Sequence, residues 1–134
     1  MCGIAGYINL NEYENSIIEM LQCLSHRGPD DLSTLKIDNF IGGMVRLSIN
    51  DLEKGAQPLY NSDKSVILFY NGEIYNSPCL RKKLESKGYV FRTKSDGEVI
   101  CHLYDEYGHN LFSKLDGMFA IALYDVKSKK LYLA

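Results

Sequence analysis

Cys2 stands directly after the initiator Met1. Removal of Met1 would leave a first residue that carries both a thiol and a free α-amine. An α-amine has a reference pKa of about 7.7–8.0, against about 10.4 for a lysine side chain. Near neutral pH much of it is unprotonated, so a nucleophile bearing this amine on its own Cα has its base built in. Thiol attack on a carboxamide would give a thioester and ammonia, and water would then free the acid. Position alone leaves a plainer reading open, because free cysteine also behaves as a small hydrophobe. The other cysteines, Cys23, Cys79 and Cys101, stand far apart and form no CxxC pair. Such usage fits a reduced, cytoplasmic protein better than a disulfide framework.

Further polar residues interrupt apolar runs. Arg46 lies between Val45 and Leu47 on a strand-like segment and needs a partner if buried. Asn71-Gly72 falls between the runs Val66–Tyr70 and Glu73–Tyr75, and on its own that dipeptide signals a hairpin turn. Asp96 opens a helical pattern, where an acid also serves the helix dipole. His26 suggests a Cys–His dyad, but the cysteine-protease signature is absent and a terminal amine makes a histidine base unnecessary. A structural role is expected for it. Cys23, His26, Cys101 and His102 match no common zinc spacing, so no metal site is expected.

Read in order, the motifs do more than any one of them. Met1-Cys2-Gly3-Ile4-Ala5-Gly6 is followed by His26-Arg27-Gly28-Pro29-Asp30, Arg46-Leu47-Ser48-Ile49 and Gly55-Ala56-Gln57-Pro58-Leu59. Then come Tyr70-Asn71-Gly72-Glu73-Ile74-Tyr75-Asn76, Ser95-Asp96-Gly97-Glu98 and Leu115-Asp116-Gly117-Met118-Phe119-Ala120. Over essentially its whole length the chain resembles the class II, N-terminal-nucleophile glutamine amidotransferases. Pro29-Asp30 and the Asn-Gly-Glu-Ile-Tyr-Asn run look most like the glutamine-dependent asparagine synthetases and their sugar-amidating relatives.

The resemblance implies roles that have physical reasons. Cys2 would be the nucleophile toward L-glutamine, and Asn71 and Gly72 the oxyanion hole, as neutral donors facing a developing tetrahedral oxyanion. Arg46 would clamp the substrate carboxylate, since its planar fork suits bidentate binding. Asp96 would hold the α-ammonium with Glu73 assisting. Arg27 and Gly97 would support the substrate site, and Ile49 and Asn76 would shape its wall. No cofactor is implied in this domain. ATP and magnesium belong to a synthetase domain or subunit that accepts the ammonia.

Two departures qualify the match. Asn50 stands where the family usually has an aliphatic residue. The chain also stops at Leu131-Tyr132-Leu133-Ala134, where family members continue through an Arg-Asp segment, further strands and a second domain. That domain would carry an ATP-pyrophosphatase loop rich in Ser and Gly, whereas Gly42-Gly43 here runs into Met44 within an apolar strand. Residues 1–134 are therefore expected to be a glutaminase domain incomplete at its C-terminus, with no synthetase domain. One rival is a non-catalytic amidotransferase-like binding module or inactive fragment. Another is an N-terminal-nucleophile peptidase, which gives no reason for the Arg46 and Asp96 pair.

These residues must be positioned by ordinary elements. The 134 residues, 46% of them hydrophobic, suffice for one domain with a real core. A net charge of −2 leaves no basic footprint for nucleic acid. Apolar runs such as Ile4–Ile8 are too short to span a bilayer, and no signal-peptide pattern opens the chain. Strands are predicted over Ile4–Leu10, Phe40–Ser48 and Val66–Tyr70. A helix is predicted over Ser16–Leu24, and another is capped by Ser77, with Pro78 at its first position, and closes at Gly88. Ser95–Glu98 has capping-box spacing ahead of a third helix that stops at Gly108. Met118–Tyr124 and Lys130–Leu133 form a last hairpin around Lys127-Ser128-Lys129. Helices cluster between strands without alternating with them, which predicts a layered α+β domain. The resemblance sharpens this to a four-layer α/β/β/α sandwich of the N-terminal-nucleophile hydrolase type, C-terminally truncated. An uncovered edge at Lys130–Leu133 would favour a homodimer or a partner there.

Overall fold

Alternation along the strands sorts the apolar side chains into layers. The structure is a computed structural model that describes residues 2–8, 16–48 and 56–134. β1 (Gly3–Ile8), β2 (Asp31–Ile37) and β3 (Phe40–Arg46) form one antiparallel sheet in the order β1-β3-β2. β4 (Leu59–Tyr60), β5 (Val66–Ile74), β6 (Gly117–Asp125) and β7 (Lys130–Leu133) form a second, in sequential order. The helices are α1 (Ser16–Cys23), α2 (Ser77–Ser86) and α3 (Glu98–Tyr107).

Phe40 and Met44 of β3 turn toward the second sheet and meet Ile67 and Phe69 of β5 with Ala122 and Tyr124 of β6. Phe40 stacks on Tyr124 with ring centroids 4.7 Å apart. The alternate residues of β3, Ile41 and Val45, turn the other way onto Ile17 and Leu21 of α1. Across the molecule, Leu68, Tyr70, Ile121 and Leu123 pack against Leu80 and Leu84 of α2 and Val99, Ile100 and Leu103 of α3. The layers run α1, three-stranded sheet, four-stranded sheet, α2 with α3, which is the expected α/β/β/α order. Leu21, Leu68 and Leu123 are fully buried; each such side chain contributes about 1.5–3 kcal/mol of transfer free energy.

Several local expectations are corrected. Asn71-Gly72 is no turn: β5 runs straight through it, pairing Asn71 with Ala120 and Gly72 with Phe119. The long-range ladder to β6 supplies the partners that a local hairpin would have found. The Ser95–Glu98 capping box does not form. Gly97 is the N-cap, Ser95 Oγ accepts from Gly97 N–H, and the Glu98 carboxylate turns back to residues 92 and 93. α2 includes Ser77, with Pro78 in its first turn. Its C-terminal end is closed by Gly88 at φ 94° and by Tyr89 N–H donating to Leu84 O at 3.1 Å, as a glycine stop should be. β2 was not foreseen, because its apolar positions Leu32, Leu35 and Ile37 keep no single period on a largely exposed edge strand. Positions 9 and 10 of the first predicted strand lie outside the described residues.

Candidate active site

Three polar side chains share a parity with the layer between the sheets. Cys2 continues the alternation of Ile4 and Ile8, which pack into that layer. Arg46 continues that of Phe40 and Met44, and Asn71 that of Ile67 and Phe69. Cys2 lies one step beyond the Gly3–Val45 pair and therefore beside Arg46. Period-two geometry thus delivers a thiol, a guanidinium and an amide to one end of the intersheet core.

Three segments hold Cys2. Its backbone nitrogen donates to Asn71 Oδ1 at 3.1 Å. Leu47 N–H points at Sγ from 3.3 Å, and Sγ lies 3.7 Å from Leu47 O. Arg27 Nε donates to Cys2 O at 3.0 Å. The loop that carries Arg27 is itself tied to the end of β3. Asp30 Oδ2 accepts from Ser48 N–H at 2.7 Å, and Asp30 N–H donates to Arg46 O at 3.0 Å. Gly28 lies against that strand end so closely that a Cβ there would stand 2.6 Å from Arg46 N.

A cleft of about 420 Å³ opens over these groups; Cys2, Arg27, Arg46, Asn71, Gly72, Glu73 and Asp96 all line it. Arg46 is buried, at 8% exposure. Asn71 uses Oδ1 on Cys2, and among the described residues its Nδ2 has no protein partner. Gly72 is required by contact: a Cβ at its φ of 157° would stand 2.2 Å from Met118 O. Both protein bonds to Asp96 fall on Oδ2, from Tyr70 Oη at 2.6 Å and Ile74 N–H at 2.8 Å. Oδ1 is left without a protein partner among the described residues. Burial, then the bond to Asp96, pushes the Tyr70 phenol well above its ordinary value, so it is a donor here.

Some expectations do not hold at this site. Gly97 lies outside the cleft lining, buried behind Asp96 against Tyr70 and Leu59, because it serves as the N-cap of α3. Asn76 also stands away from the cleft. It holds the approach to β6, donating to Lys114 O at 2.8 Å and accepting from Asp116 N–H at 3.1 Å. Ile49 lies outside the described residues. Conversely, three participants escaped the sequence reading. Leu47 acts through its backbone, which has no side-chain signature. Gln57 pairs both ends of its amide with the backbone of Tyr70 at 2.6 Å each. Tyr70 reads as one more apolar strand residue. The quoted motifs contained all three, which was the available signal. Among the described residues no group of three or more His, Cys, Asp or Glu is placed to hold a metal ion.

A family model described as the glutamine amidotransferase domain matches residues 1–134. The chain belongs to the glutamine amidotransferase domain family. It is 44% identical over 138 positions to asparagine synthetase [glutamine-hydrolyzing] 2 of Arabidopsis thaliana, covering 100% of this chain and 24% of that protein. Asparagine synthetase B [glutamine-hydrolyzing] of Escherichia coli (strain K12) is 44% identical over 137 positions, covering 99% and 24%. This chain therefore spans about a quarter of the length of those relatives. Among solved structures, the glutamine phosphoribosylpyrophosphate amidotransferase from B. subtilis, complexed with ADP and GMP, matches with a TM-score of 0.55. Its identity is 29%, over 66% of this chain and 21% of that one. The four-layer sandwich is accordingly that of the N-terminal-nucleophile amidotransferases. No helix among the described residues is long and apolar enough to cross a membrane.

Proposed function

We propose that this domain hydrolyses L-glutamine to L-glutamate and ammonia through a thioester on Cys2. The observation that carries the reading is the Cys2 nitrogen resting on Asn71 Oδ1 at 3.1 Å, at the mouth of a cleft that also holds Arg46 and Asp96. Once Met1 is removed, that nitrogen is an amine on the same residue as the thiol. It takes the Sγ proton, Sγ attacks the carboxamide carbon, and the carbonyl oxygen becomes an oxyanion. Asn71 Nδ2 and the Gly72 N–H are the donors for it, and one such donor is worth about 10²–10³ in rate. Asn71 therefore does two jobs, since its Oδ1 aims the base. The ammonium then returns its proton to the leaving nitrogen and ammonia departs. A water deprotonated by the same amine cleaves the thioester, freeing glutamate and restoring the thiol.

Specificity follows from charge. Arg46 takes the α-carboxylate, the free Oδ1 of Asp96 takes the α-ammonium, and Glu73 adds a second acid at the rim. Arg27 supports the site through Cys2 O. The half-reaction needs no cofactor. ATP and magnesium would serve a separate synthetase domain or subunit that accepts the ammonia, the relatives being glutamine-hydrolysing asparagine synthetases. We place the protein in the cytoplasm, acting on neither nucleic acid nor membrane.

The test is ammonia release from L-glutamine by Met1-free protein, beside Cys2→Ala. Turnover abolished by the substitution is the expected result. A correctly processed, folded protein that binds glutamine without hydrolysing it would make this a binding module instead.

A further inference from the structure

α3 carries a buried charged cluster that hydrolysis does not use. Glu98 is 3% exposed and His102 1% exposed, one turn apart on α3. The Glu98 carboxylate accepts from Arg92 N–H and Thr93 N–H, both at 2.8 Å, and from Thr93 Oγ1 at 2.7 Å. Three donors of this kind favour its ionised form. A buried carboxylate needs a countercharge. His102 Nε2 stands 3.6 Å from Glu98 Oε1, and Nδ1 stands 3.9 Å from Asp105 Oδ2. Neither ring nitrogen has a hydrogen-bond partner among the described residues. Tyr89 and Phe91 pack on the imidazole from the preceding loop and exclude water from it.

The segment that Glu98 holds leads directly to Asp96. Arg81 of α2 grips the same segment through its carbonyls, donating to Thr93 O at 3.1 Å and Ser95 O at 2.9 Å while stacking over Phe91. One clamp takes the N–H groups and the other the carbonyls. Asp96 is two residues from Glu98, and a carboxylate that orients a substrate must be held to within about 0.5 Å.

We propose that Glu98, with His102 as its buried counterion, is a positioning residue for substrate recognition: it fixes the 92–95 turn that presents Asp96 to the ammonium of glutamine. This rests on the reading of Asp96 as the ammonium acceptor. Its effect falls on binding of the ammonium group, and the thiol chemistry at Cys2 proceeds as before.

The experiment compares two amides, L-glutamine and its deamino analogue glutaramate, which keeps the carboxylate and the carboxamide but has no ammonium. Glu98→Gln keeps the shape and removes the charge; His102→Gln is the second variant should the first fail to fold. The expected result is a KM for glutamine raised by about 5–20-fold with kcat within about twofold, and an unchanged kcat/KM for glutaramate. Alkylation of Cys2 by iodoacetamide at the wild-type rate confirms an intact thiol site. Asp96→Asn should show the same discrimination more strongly. Equal losses on both amides would reduce Glu98 to a structural role and overturn the proposal. So would an unchanged KM for glutamine in folded Glu98→Gln while Asp96→Asn raises it. An Asp96→Asn variant that fails to distinguish the two amides would instead overturn the reading of Asp96 itself, and this proposal with it.

Discussion

At the scale of single residues, the site is a set of short bonds around Cys2. Cys2→Ala should abolish glutamine hydrolysis and leave the melting temperature nearly unchanged, because a small half-buried thiol adds little packing. Cys2→Ser should be close to inactive, a hydroxyl being the poorer nucleophile. An electrophilic glutamine analogue should label Cys2 ahead of Cys23 and Cys79, which are exposed but outside the cleft, and of Cys101, which is buried. Mass spectrometry of the labelled peptides decides it, and preferential labelling elsewhere would sink the assignment. Asn71→Ala should lower kcat by about 10²–10³, read from steady-state ammonia release. Side chains carrying charge or nucleophilicity were legible from the motifs. Leu47 was not, because its contribution is a backbone N–H. Gln57 was not, because an amide paired to Tyr70 looks in sequence like any polar residue beside a proline.

At the scale of elements, the strongest lesson is β5. An Asn-Gly pair between strand-like runs is the usual mark of a tight turn, and only its partner strand, far off in sequence, reveals otherwise. Gly72→Ala should cost at least about 1–3 kcal/mol, since its methyl would enter Met118 O; urea unfolding measures it, and activity should fall with it. Helix spans were legible because their apolar spacing is local. The contacts at the start of α3 were not, because Glu98 bonds residues 92 and 93 in place of a capping partner. That arrangement has a pH signature. Burial alone would raise the Glu98 carboxyl, but the neighbouring His102 imidazole and the hydrogen bonds from Arg92 and Thr93 outweigh it and bring it from 4.5 to about 2. Its stabilisation is therefore complete above pH 4.5 and is lost as pH falls toward about 2. Denaturant midpoints followed from pH 6 downward should decline more steeply through this window in wild type than in Glu98→Gln. Parallel curves would contradict it.

At the scale of the whole molecule, layering was legible and register was not. The order of strands and helices predicts α+β, and resemblance supplies the four layers. Nothing in a single sequence states that β1 pairs with β3 and not with its neighbour β2. Leu21→Ala should test the layer beneath the first sheet, costing about 2–5 kcal/mol because Leu21 is wholly enclosed between α1 and β3. β7 borders the second sheet, pairing with β6 alone among the described residues, and Leu133 on it is 73% exposed. Strand edges of this kind recruit another chain. The isolated 134-residue chain is expected to self-associate along β7, with Leu133→Lys weakening the association. Sedimentation that stays monomeric at high concentration, with no change on substitution, would contradict this.

The three grips on Cys2 also impose an order in time. Its nitrogen, sulfur and carbonyl are engaged by Asn71, Leu47 and Arg27, residues that lie 69, 45 and 25 positions further along the chain. A peptidase that cuts the Met1–Cys2 bond needs that bond in an extended, accessible form. In the folded domain the Cys2 side of that bond is held by all three contacts. Trimming is therefore expected on the nascent chain, in the interval before Asn71 has been made and folded into place. Protein allowed to fold with Met1 still attached should resist later trimming and stay inactive until it is unfolded, exposed to the peptidase and refolded. If Cys2 is the nucleophile, its maturation is a race between synthesis and folding.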